Sequence, residues 1–312
     1  MLINLLPDFL AVLQAADPER AYGHYFETHR PILEAYWNNF VVEPSGPQFE
    51  DIVRGVVRAD RSDLRALLEQ TNVVALARET AARCEVLFAV DAPIDVVLMV
   101  GVGAANAGEL VVNGRAMAFV CLEHFTGVAN ASTHALGLDP ELMPMWLAHE
   151  IAHGVRYTSP QSRSEMRAAV ETSGGNYSYW ETARQVSLRE HLVNEGLAVH
   201  AARQFSPGHA PWEYYGYSRA DYALIRDMEP QLIAAAADDL DRASLGLRLR
   251  FLLGGMSDLA RTVRRVVLPE RCGYFLGARM VESAVAERGL ARALRAPADE
   301  LSVAVVPASR SA

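Results

Sequence analysis

The run Met145-Trp146-Leu147-Ala148-His149-Glu150-Ile151-Ala152-His153-Gly154 decides the reading of this chain, because it contains His-Glu-x-x-His. On a helix, positions i and i+4 stack on one face, one turn apart. Two imidazoles so placed can reach a single ion at a zinc–nitrogen distance of about 2 Å. Glu150 sits beside His149 and is angled off the pair, so its carboxylate reaches a metal-activated water without being a ligand. Pro144 suits a first helical turn, where its missing N–H does no harm. Trp146, Leu147, Ala148, Ile151 and Ala152 predict a helix buried on most sides. Two histidines and a glutamate on such a helix need a compensating partner, and a divalent cation supplies one. The plainer alternative makes His149 a core histidine and leaves Glu150 and His153 as solvated groups. Gly154 either ends the helix or permits close packing.

A catalytic zinc site built on two histidines takes a third protein ligand and keeps an open position. The stretch Leu192-Val193-Asn194-Glu195-Gly196-Leu197-Ala198 offers Glu195, an acidic residue inside an otherwise apolar helical pattern. A carboxylate there is costly unless something cationic neutralises it. His191 lies four residues earlier on the same helix face and is the rival ligand; otherwise it lines the pocket or the surface. His200 is expected to be structural.

Asn194-Glu195-Gly196-Leu197-Ala198 downstream of His-Glu-x-x-His resembles the gluzincin clan of zinc metallopeptidases. It is especially similar to the aminopeptidase N-like enzymes and to a group of uncharacterised bacterial predicted zinc-dependent proteases. The resemblance implies a zincin-like fold, Zn2+ as cofactor and Glu195 as the third ligand. The run Cys272-Gly273-Tyr274-Phe275-Leu276-Gly277 looks like the closing Tyr-x-x-Gly helix of the bacterial group. It makes Tyr274 the first candidate for stabilising an oxyanion, with Gly273 and Gly277 admitting close neighbours; an aromatic packed at a helix start is the alternative. The resemblance covers residues 85–290. The stretch between His153 and Glu195 is longer than in the aminopeptidases, and Val199 stands where thermolysin-like enzymes carry an aspartate.

Composition bounds the partners. Of 312 residues, 51% are hydrophobic and 21% charged, an ordinary globular balance with enough chain for a sizeable core. A net charge of −9 argues against nucleic acid and anionic membranes. Cys84, Cys121 and Cys272 are odd in number and far apart, so they are expected as buried small hydrophobes in a reducing compartment. Pro7 and Asp8 interrupt the apolar start Met1–Leu6, which reads as an amphipathic helix and not as a secretory segment. No run is long and apolar enough to span a membrane. The expected location is cytoplasmic.

Residues 1–84 read as an N-terminal helical region, with a loop from Asn39 to Phe49. Residues 85–142 read as a small sheet subdomain. Its predicted strands are Glu85–Val90, Asp95–Val100, Glu109–Val112 and Arg115–Leu122, the last two joined by Asn113-Gly114, a strong hairpin signal. Residues 143–312 read as a helical subdomain carrying the metal ligands, with helices near 142–156, 165–172, 187–204, 219–237, 245–267 and 274–289. Leu301–Val306 is a short strand or lies on the surface. The three regions form one compact catalytic unit. The expected class is α+β, mostly helical, with a small mixed sheet next to the His-Glu-x-x-His helix.

These residues predict a zinc-dependent hydrolase with Glu150 as general base and an amide bond as the leading target, a peptide or a small amide or ester being the partner. The alternatives are a biosynthetic metallohydrolase acting on one small molecule, and a non-catalytic metal-stabilised binding protein. Asn106, Arg156, Tyr157 and His191 are further substrate-binding candidates. The aromatic group Trp212, Tyr214, Tyr215, Tyr217 and Tyr222 either lines a cleft or packs a loop. Gly101–Gly108 is read as a small-residue loop beside the cleft; its glycine spacing does not fit dinucleotide binding. The resemblance to the gluzincins implies a substrate-binding sheet edge near 103–108 or 117–123. The insert from Ser159 to Arg184 covers the site or lies passively outside it.

Overall fold

Asn113 and Gly114 both adopt positive φ, 52° and 76°, and close a two-residue hairpin in which Val112 faces Arg115. This is the turn conformation that Asn-Gly favours. In this computed structural model, which describes residues 1–253 and 267–302, the hairpin is half of a four-stranded mixed sheet. Its strands are β1 (Leu2–Asn4), β2 (Ile94–Met99), β3 (Ala107–Val112) and β4 (Arg115–Cys121), in the order β1-β2-β4-β3. β2 runs parallel to both β1 and β4, and β3 pairs antiparallel with β4. Two short strands, β5 (Ala129–Asn130) and β6 (Ala135–Leu136), form a separate ribbon.

Six helices precede β2: α1 (Leu6–Gln14), α2 (Pro18–Thr28), α3 (Arg30–Phe40), α4 (Phe49–Arg58), α5 (Ser62–Gln70) and α6 (Val73–Leu87). After the sheet come α7 (Met143–Thr158), α8 (Glu165–Thr172), α9 (Tyr179–Gln185), α10 (Leu188–Phe205), α11 (Arg219–Asp227), α12 (Glu229–Ala236) and α13 (Leu245–Leu252). α14 (Cys272–Arg288), α15 (Leu290–Ala293) and α16 (Ala298–Leu301) complete the described chain. The class is α+β, mostly helical. One apolar core runs through all three regions, joining Trp37, Phe119, Leu147, Leu197 and Val281. No helix among the described residues is long and apolar enough to cross a membrane. The three cysteines are buried and free.

Several expectations need correction. Glu85–Leu87 is the last turn of α6, not a strand; a short apolar run has no period that separates the two, and Val86 is 82% exposed. Leu2–Asn4 is a strand added to the edge of β2, and the first helix begins only at Leu6. The helix expected over 219–237 is two helices, parted at Met228 just before Pro230. Of the stretch 245–267, Leu245–Leu252 is helical, and residues 254–266 lie outside the described residues. Leu301 ends α16, while residues 303–306 of the anticipated strand also lie outside them.

Candidate metal centre

α7 lies across β4 and β3, and Gly154 sets how closely. A Cβ there would stand 3.0 Å from Ile94 Cδ1 and 3.3 Å from Ala116 Cβ. So Gly154 gives close packing, and the helix continues to Thr158. α10 packs against both α7 and α14. Its contact with α14 is backbone on backbone. A Cβ on Gly196 would fall 2.2 Å from the Gly277 carbonyl carbon, and one on Gly277 would fall 1.8 Å from the Leu192 oxygen. Glycine next to Glu195 is therefore what lets α10 bring that carboxylate under the histidines.

The convergence is close. His149 Nε2 lies 3.5 Å and His153 Nε2 lies 3.6 Å from Glu195 Oε2. All three side chains are buried, and the donor atoms lie within 4.8 Å of one another. Two ligands held about 2 Å from one tetrahedral ion stand about 3.4 Å apart, so these spacings suit a shared cation better than direct hydrogen bonds. Glu195 Oε2 finds no hydrogen-bond donor among the described residues. A buried carboxylate oxygen without a donor calls for positive charge. The mixed imidazole–carboxylate set suits Zn2+.

The protonation balance points the same way. Burial lowers His149 to about 4. Burial also opposes a charge on His153, but the Glu195 carboxylate outweighs it and raises that ring to about 10. Glu195 would be raised by burial, yet the two rings hold it well below the usual carboxylate range. In the metal-free site the His153 imidazolium is thus the cation that faces the carboxylate, and a divalent ion would take over that place.

His153 is oriented from behind. Its Nδ1 donates to Asn194 Oδ1 at 3.0 Å, leaving Nε2 to face Glu195. The Asn194 amide donates to Tyr157 Oη at 3.0 Å, and that hydroxyl donates to Glu109 Oε1 at 3.0 Å. Tyr157 is thus a positioning residue between α7, α10 and β3, and it does not line the cavity. Asn194 stands inside the motif that revealed Glu195, yet nothing in the sequence marks its partner. Glu109 was missed because an acidic residue on a strand reads as a solvated one.

A cavity of about 430 Å³ opens over the three ligands. Glu150 lines it, and burial pushes its carboxyl well above the usual carboxylate range. Tyr274 lines it too, its ring stacked beside His149 at 6.2 Å between centroids. The Arg271 guanidinium stands over the Tyr274 ring at 4.4 Å from its centroid. Burial drives the Tyr274 phenol upward, so at neutral pH it is a hydrogen-bond donor. Asn106 and the loop from Gly103 to Gly108 form part of the wall. Tyr179 and Trp180 bring the insert 159–184 to the same cavity.

No family model, curated protein or solved structure matches the chain. The site is therefore read from its own geometry.

Besides Tyr157, two predicted residues lie elsewhere, Arg156 and His191. Arg156 is fully buried, forms a two-pronged ion pair with Glu190 at 2.7 Å, and donates to the carbonyls of Leu294 and Ala296. It ties α7 to the start of α10 and contacts no part of the cavity. Glu190→Gln leaves that charge buried without its carboxylate, and should lower stability by about 3 kcal/mol; urea unfolding of the variant beside wild type measures it. His191 is buried outside the ligand group, its Nε2 without a partner among the described residues. His200 has the structural role expected of it: its Nε2 donates to the Ala278 carbonyl oxygen at 3.0 Å. Tyr215, Tyr217, Tyr222 and Phe275 pack ring on ring, so the aromatic group secures a loop against α14. The sheet edge near the site is β3, because β4 lies between β2 and β3 and so cannot be an edge.

Proposed function

We propose that this chain is a zinc-dependent hydrolase that cleaves amide bonds, with His149, His153 and Glu195 holding the metal. One observation carries the reading: donor atoms from two separate helices converge on one point, with the Glu150 carboxylate in the same cavity. When bound, zinc supplies a Lewis acid that polarises a carbonyl and acidifies water. Glu150 accepts a proton from the attacking water and returns it to the leaving nitrogen. Tyr274, a neutral phenol beside His149, donates toward the oxygen on which negative charge develops. The Ala107–Glu109 end of β3 lines the cavity and offers backbone groups to an extended substrate, while the Tyr177 N–H caps Val111 further along. The placement of α7 over an antiparallel edge strand supports a zincin-like reading of the fold and the resemblance to gluzincins.

The size of the cavity also favours a second reading within the same chemistry. About 430 Å³ suits a short peptide or a single small amide better than a long chain. Screening dipeptides, N-acyl amino acids and small amides against longer peptides separates the two.

Metal analysis tests the centre itself. The purified protein should carry one zinc per chain, and His149→Ala should reduce that to a trace and abolish turnover. Full zinc in the variant would refute the assignment.

A further inference from the structure

The cavity holds a second charged group that the proposed hydrolysis does not use. Arg248 lies on α13 in the run Leu245-Gly246-Leu247-Arg248-Leu249, and only 3% of it is exposed. It lines the same cavity as Glu150 and Glu195. Its guanidinium carbon stands over the Tyr179 ring, 3.5 Å from the centroid. One terminal nitrogen donates to the Tyr179 carbonyl at 2.7 Å and the other to the Tyr177 hydroxyl at 2.8 Å. Nε is buried with no partner among the described residues.

This is an unusual way to bury a cation. Arginine is always charged, and a buried charge costs several kcal/mol unless an opposite charge compensates it. Arg156 and Arg295, buried as well, show the ordinary solution, a carboxylate within the fold, Glu190 for the first and Asp91 for the second. Arg248 instead has neutral oxygens on part of its fork and leaves Nε–H unused. Stacking on Tyr179 and two hydrogen bonds hold its plane still. A guanidinium fixed in this way, beside a cavity and with no carboxylate partner among the described residues, is organised to receive a planar anion.

We propose that Arg248 is the receptor for a carboxylate on the substrate, so that the enzyme acts on acyl compounds carrying a free carboxylate near the scissile amide. A short peptide cleaved near its C-terminus, or an N-acyl amino acid, has that chemistry. The proposal deepens the hydrolase reading, and its binding half stands apart from catalysis. The second cationic wall residue, Arg271, also stacks on a tyrosine, but on Tyr274 beside His149, so it stands at the reacting centre and the anchoring role away from it falls to Arg248.

The test uses 3-phenylpropanoate and its uncharged analogue 3-phenylpropanamide, neither of which the enzyme needs to turn over. Both are titrated into the protein as purified and again after chelator treatment, which removes any binding through zinc. The acid should bind about 30-fold more tightly than the amide in both preparations, the worth of one charge-assisted hydrogen-bonded pair. In Arg248→Met the acid should fall to the level of the amide, whose own affinity stays unchanged. Arg248→Lys should recover part of the difference. Equal binding of acid and amide to the wild-type protein overturns the proposal even if Arg248→Met does not fold. So does undiminished acid binding in Arg248→Met, or inorganic phosphate displacing the acid at comparable concentration. A kinetic arm compares one peptide as its C-terminal acid and as its C-terminal carboxamide. Preference for the acid by about 30-fold in kcat/KM is expected. Acid binding without hydrolysis of either peptide would leave Arg248 as a carboxylate receptor and overturn the hydrolase reading alone.

Discussion

Glu150→Gln should lose at least about a thousand-fold in kcat while keeping one zinc per chain. The substitution preserves size and hydrogen-bonding shape but removes the group that accepts and returns a proton. Glu150 is buried in the cavity wall and is absent from the His149–His153–Glu195 ligand set, so the metal should be held as before. The paired measurement is metal content by mass spectrometry and turnover on the best wild-type substrate. A drop in both would make Glu150 a ligand or a structural prop. Turnover that survives with zinc in place would mean that the proposed base is not the base. Exchange of Glu150 also relieves a crowded site: Glu109, Glu150 and His153 approach within 4.8 Å of one another. The variant should therefore be no less stable than wild type, which separates a chemical role from a packing one.

The parts of this site that could be read beforehand share one physical property, a polar residue where the apolar period demands otherwise. His149, His153 and Glu195 stand in helices that are buried over most of their length, and the structure brings them together. The hairpin was equally legible, since Asn113-Gly114 specifies its own backbone conformation. Arg248 gives the same signal as Glu195, a charge inside Leu-Gly-Leu-Arg-Leu, yet it has no partner motif nearby and so passed unnoticed. Glu109 and Asn194 were illegible for another reason. Their roles come from a hydrogen-bonded chain through Tyr157 that joins β3, α7 and α10, and such a chain exists only once those elements are packed. Arg156 misled because its place after the metal helix suggests the cavity, whereas helical rotation turns it toward Glu190 at the start of α10. The strand expected at Glu85–Val90 failed because a short apolar run carries no period of its own.

The glycines between α10 and α14 set the second large effect. Gly277→Ala places a methyl group 1.8 Å from the Leu192 carbonyl oxygen, and Gly196→Ala places one 2.2 Å from the Gly277 carbonyl carbon. The obstructing atoms are backbone, which cannot rotate aside as a side-chain end would. The helices must then separate along the face that carries Glu195. Either substitution should cost about 4 kcal/mol or more, beyond ordinary overpacking, because two helices shift instead of one side chain. It should also weaken zinc binding although neither glycine offers a ligand atom. Gly23→Ala is the control, since nothing lies within 4 Å of the added carbon and alanine favours the helix. Calorimetric melting with metal titration reads both consequences. If Gly277→Ala melts and binds zinc like wild type, the close approach of α10 and α14 is not what places Glu195. If it melts early but binds zinc normally at low temperature, the contact supports the fold without aiming the carboxylate. A loss in both would tie the fold to the chemistry through a single backbone contact.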